Sequence, residues 1–81
     1  MGSSITTHDC PGEHYVITIQ GVNEIHIFGY PDFHKAETSA NSCGLLSRVH
    51  IDKAGNVKSA SWGNGDTKAL LQKGIDHAKT L

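Results

Sequence analysis

Six histidines and two cysteines in 81 residues are the side chains best able to do chemistry here. Imidazole and thiolate are the preferred ligands of zinc, and a thiolate beside an imidazole is an activated nucleophile. His8, Cys10 and His14 lie close together as His-x-Cys-x3-His, with Asp9, Cys43 or a distant histidine available as a fourth ligand. Structural zinc sites usually pair two short spacings, C-x2–4-C with H-x3–5-H, and only half of such a set is present. The segment reads as a polar arm that holds histidines, and no metal or other cofactor is expected. Cys43 precedes Gly44 and could be a nucleophile with His34 or His50 as its base. A cysteine at a helix end is more often a small buried apolar residue, so the chain is read as non-enzymatic. Without a leader-like start, Cys10 and Cys43 are expected as free thiols in a cytoplasmic protein. Gly63-Asn64-Gly65 before a helix could seat an anion, but Asp66 opposes one, and the segment reads as turn plus cap.

The elements that must position these groups follow from the spacing of apolar residues. Residues 1–12 are polar and aperiodic and read as a flexible N-terminal arm; residues 13–81 read as one α+β domain. Tyr15, Ile17 and Ile19 alternate with Val16, Thr18 and Gln20, which predicts a strand. Gly21-Val22-Asn23 turns the chain into a second strand, with Ile25 and Ile27 alternating with His26, Phe28 and Tyr30. Pro31-Asp32 ends the hairpin. Lys35 to Ala40 tolerates a short helix, stopped at Gly44. Val49 and Ile51 alternate with Arg48, His50 and Asp52, a turn at Lys53-Ala54-Gly55-Asn56 follows, and Val57 to Trp62 returns. Asp66 is the expected N-cap of a terminal helix whose apolar stripe is Leu70, Leu71, Gly74, Ile75 and Ala78. The order is ββαββα, and the two halves share one cadence, as an internal duplication would.

The expected architecture is a four-stranded antiparallel sheet with both helices on one face. Ile17, Ile19, Ile25, Ile27, Val49, Ile51 and Val57 would then form the core. The open face would carry Val16, Thr18, His26, Phe28, Tyr30, Arg48, His50, Lys58 and Trp62, an aromatic and basic set unusual for a face that meets only water. Three readings fit it: cover by the chain's own loops, a protein or self-association interface built on aromatics and arginine, or a stacking platform for single-stranded nucleic acid. His26 and His50, as neighbours on adjacent strands, would add a pH-sensitive patch.

Composition narrows the choice. Seven basic residues against eight acidic give a net charge of −1, which supplies no general attraction to nucleic acid or anionic membrane. No apolar run is long enough for a membrane helix. With a hydrophobic fraction of 37% the core must be thin, too thin for a deep substrate pocket in a monomer. The sequence therefore points to a small binding module. Its expected surface is His26, Phe28, Tyr30, Arg48, His50, Lys58 and Trp62, acting on a protein partner or on a second copy as a homodimer. Single-stranded nucleic acid on the same face is the alternative, and a zinc- or cysteine-dependent protein the next.

Overall fold

The computed structural model describes residues 3–81. The sheet strands are β1 (Ser4–His8), β2 (His14–Gln20), β3 (Glu24–Tyr30), β4 (Arg48–Asp52) and β5 (Val57–Ser61), of which β2, β3 and β4 carry the alternating β-branched residues, and the helices are α1 (Phe33–Ser42) and α2 (Gly65–Ala78). The sheet order is β1-β3-β2-β4-β5. Neighbours run antiparallel except β1, which lies parallel to β3 with Thr6 opposite His26 and His8 opposite Phe28. The expected four-stranded antiparallel sheet is thus a five-stranded mixed one. Its extra strand comes from the segment expected as an arm, of which residues 1 and 2 lie outside the described residues. Ser4-Ile5-Thr6-Thr7-His8 is exposed along most of its length, so no apolar alternation marked it.

The link from β1 to β2 passes over the end of β3, and Gly29 makes room for it: a Cβ there would sit 2.4 Å from the Asp9 carbonyl oxygen. β3 and β4 are both antiparallel to β2 and so parallel to each other, and a parallel pair needs a crossover. α1 is that crossover. Asp32 caps it, its carboxylate accepting from the Lys35 amide at 2.8 Å, and Gly44 follows its end with a φ of 72°.

The helices lie on opposite faces, which corrects the one-sided expectation. α2 buries Leu71, Ile75 and Ala78 against Tyr15, Ile17, Ile25, Ile27, Val49 and Ile51. α1 places Ala36 and Ala40 on Val16, whose side chain points the other way from Tyr15 and Ile17. The shared cadence of the two halves therefore ends in helices on different sides. Two further expectations are corrected. Val57 is about half exposed, because β5 is an edge strand and a register shift at His50/Ile51 interrupts its pairing. Asn64, not Asp66, caps α2, its side chain accepting from the Thr67 amide; Asp66 lies in the first turn, where a carboxylate suits the helix dipole.

Candidate functional site

Cross-strand partners share a face, so the register assembles the α1 side of the sheet from His8, His14, Val16, Thr18, His26, Phe28, Tyr30, Arg48, His50 and Ser59. α1 covers the part over β2 and β4. Beneath it His50 is fully buried, with Nδ1 2.7 Å from Glu37 Oε1 and Nε2 3.0 Å from His14 Nδ1. The Ser59 hydroxyl donates to the same Glu37 oxygen at 3.0 Å. Phe33 walls this chain of polar groups, its ring centroid 5.0 Å from that of His50 and 5.8 Å from that of His14. The hydrogen bond from His50 holds the Glu37 carboxyl below its ordinary value; the Ser59 bond acts in the same direction, and partial burial opposes both.

The part over β1 and β3 stays open. There His8 Nε2 lies 3.0 Å from His26 Nδ1, while His26 Nε2 is 3.5 Å from Glu24 Oε1. The His8 ring stacks on Phe28 with centroids 4.4 Å apart. A carboxylate–imidazole–imidazole chain thus occurs twice on one face, once covered and once open. Between them runs a groove of about 270 Å³ lined by Val16, Thr18, Phe28, Tyr30, Cys43 and Leu45 among others. The Tyr30 hydroxyl is anchored to that of Ser39 on α1. Leu46, 82% exposed, and Arg48, whose guanidinium donates to the Leu45 carbonyl at 2.9 Å, follow Leu45 in the chain.

Of the residues expected to form a binding surface, His26, Phe28, Tyr30 and Arg48 are on this face and partly exposed. His50 is on it but buried, so it is no contact residue. Lys58 is exposed and pairs with Asp52 at 3.6 Å. Trp62 does not belong to the set: it follows β5 and packs against the α2-side core, with Lys68 Nζ 5.6 Å from its ring centroid. Asp52 organises the β4–β5 turn, its carboxylate accepting from the Ala54 and Asn56 amides at 2.9 Å, and these bonds hold its pKa at about 2.

The His8–Cys10–His14 grouping comes apart. His8 and His14 turn to different partners, and the Cys10 thiol donates to the His8 and Ile27 carbonyls against the α2-side core. Burial pushes the Cys10 thiol up. Cys43 donates to the Ala40 carbonyl at 3.3 Å, and both cysteines are free. Among the described residues no three or more His, Cys, Asp or Glu side chains converge as a metal cluster. Sequence reasoning named His8 and His14 only as part of a metal grouping with Cys10, did not place them on this face, and missed Glu37 and Ser59. The parity of His14 with Val16 and Thr18 was the available signal; Glu37, on a helix expected on the other side of the sheet, carried none.

Comparison with protein-family models, curated proteins and solved structures finds no match to this chain. No helix among the described residues is long and apolar enough to cross a membrane.

Proposed function

We propose that this chain is a non-enzymatic binding module that takes an apolar side chain of a protein partner into the groove between α1 and β3. The carrying observation is the groove itself: Val16, Phe28, Tyr30 and Leu45 give it apolar walls, and Thr18, Ser39 and Gln20 place polar atoms around them. Apolar walls with a few convergent polar groups are the usual make-up of a recognition site. The exposed Leu46 beyond it offers a further apolar contact of the kind that is unusual on a surface meant only for water. A second copy of the chain is one partner with suitable chemistry, Leu46 of one copy entering the groove of the other. The nucleic-acid reading is the weaker one. Trp62 packs against the α2-side core, the Arg48 guanidinium is engaged by the Leu45 carbonyl and Lys58 by Asp52, which leaves few free charges for a phosphate backbone.

Selection of a random peptide library on the immobilised protein tests this reading. Wild type is expected to enrich peptides centred on one large apolar residue. Ser39→Trp, which fills the groove from the partly exposed face of α1, is expected to lose that enrichment while keeping the wild-type circular dichroism spectrum. Equal enrichment by wild type and a folded Ser39→Trp variant refutes the groove. Sedimentation velocity of wild type and Leu46→Ser distinguishes the self-associating form from a foreign partner.

A further inference from the structure

We propose that His14 and His50 form a binding site for a divalent transition metal of the zinc class, with water or an outside ligand completing the coordination shell. Their facing nitrogens, Nδ1 of His14 and Nε2 of His50, are 3.0 Å apart. Two imidazole nitrogens on a tetrahedral zinc, each about 2.05 Å from it, lie about 3.3 Å apart. The separation is thus within a few tenths of an ångström of that of a chelate, and coordination further requires His14 to turn so that the two nitrogens aim at a common point instead of at each other. The second nitrogen of His50 is already held as metal-binding histidines are: Nδ1 donates to the Glu37 carboxylate at 2.7 Å, and Ser59 fixes that carboxylate. A carboxylate behind the imidazole sets its tautomer and orientation and raises its basicity as a ligand. With Nδ1–H committed to Glu37, the lone pair of His50 points from Nε2 toward His14.

The two ligands divide the work. His50 is fully buried and pinned, the rigid half of the site. His14 is partly exposed and is the side from which an ion and its waters enter. To coordinate, His14 must also carry its ring proton on Nε2 instead of Nδ1, an exchange that water accomplishes on a partly exposed ring, so the net charge of the protein side is unchanged. Phe33 shields one side of the pair. With two protein ligands, two positions of a four-coordinate zinc are left for water or an outside ligand. The His8–His26 pair shows the same nitrogen separation but is a poorer site. Its carboxylate, Glu24, stands at 3.5 Å and is more than half exposed, so the ligand orientation is less well fixed. The proposal is independent of the groove reading, because neither His14 nor His50 lines the groove.

Isothermal titration of the untagged, chelator-treated full chain with Zn²⁺ tests it. One ion per chain is expected. His14→Ala is expected to abolish binding, Glu37→Gln to weaken it about 10- to 100-fold, and His8→Ala to leave it unchanged. Glu37 is here a positioning residue, and its expected effect is on affinity with stoichiometry preserved. Should His14→Ala fail to fold, the imidazole ¹⁵N resonances of the wild type decide: Zn²⁺ should shift those of His14 and His50 and spare those of His8 and His26. Absence of Zn²⁺ binding by the folded wild type overturns the proposal. So does binding that survives in folded His14→Ala or disappears in His8→Ala, or shifts confined to His8 and His26.

Discussion

Replacing Gly74 by alanine sets two effects of opposite sign against each other. In a helix interior, alanine is favoured over glycine by about 0.8–1.0 kcal/mol. Gly74, however, is the point at which α2 rests on the sheet. A Cβ added there would lie 2.5 Å from Ile17 Cγ2 and 3.0 Å from Ile25 Cγ2. Carbon atoms prefer a separation of about 3.5–4.0 Å, so the nearer contact is short by about 1 Å. Ile17 and Ile25 are both fully buried, in an interior where side chains are close-packed. Overpacking of this kind costs about 1–3 kcal/mol, which exceeds the helix gain at most of that range. The expected net loss is about 0–2 kcal/mol, a fall in Tm of up to roughly 15 °C for a domain of this size. Urea and thermal denaturation of Gly74→Ala beside wild type measure it. Combining it with Ile17→Ala, which removes the clashing methyl, isolates the cause: the two losses should be less than additive by about 0.5–3 kcal/mol. A Gly74→Ala variant at least as stable as wild type would show that α2 does not seat on Ile17 at this residue. Strict additivity would show that the contact is not the source of the loss.

Other outcomes follow from the same placements. Trp62→Ala should lower stability by about 2–3 kcal/mol, since the ring packs on the α2-side core, while leaving peptide enrichment by the groove intact; loss of enrichment in the folded variant would return Trp62 to the binding face. Asp52→Ala removes the acceptor of two turn amides and should cost about 1–2 kcal/mol in urea denaturation at neutral pH, against little change for a control such as Lys53→Ala. Cys10 is held above its ordinary pKa by burial, so iodoacetamide at pH 8 should modify it more slowly in the folded protein than in urea; faster reaction in the folded state would revive the cysteine-nucleophile reading.

The core facing α2 was legible in the residues themselves. Ile17, Ile25, Ile27, Val49 and Ile51 alternate along their strands, and Leu71, Ile75 and Ala78 recur at helical spacing; all of them are buried together. Alternation is local, because the pleat sends successive side chains to opposite faces whatever the topology. The same rule correctly grouped His26, Phe28, Tyr30, Arg48 and His50 on the second face. What it could not supply was the identity of the cover. α1 is short, polar over most of its surface and buries only Ala36 and Ala40, and two alanines at helical spacing do not say which face of a sheet they meet. That choice belongs to the crossover between parallel β3 and β4, which exists only once β2 has been inserted between them. Strand β1 escaped notice for a related reason: an edge strand exposed along most of its length has no apolar side to alternate.

The site shows the same division more sharply. Histidine positions and their parity were readable, but a hydrogen bond between imidazoles depends on register, and register is a property of two strands. His14 meets His50 and His8 meets His26 because β2 pairs with β4 and β1 with β3, while Glu37 reaches His50 only because α1 lies across them. Sequence by itself determined which side chains share a face, since that follows from two-residue periodicity within a strand. Tertiary structure alone decided which of them are neighbours, which are buried and which meet water, since those depend on contacts between segments that are distant in the chain.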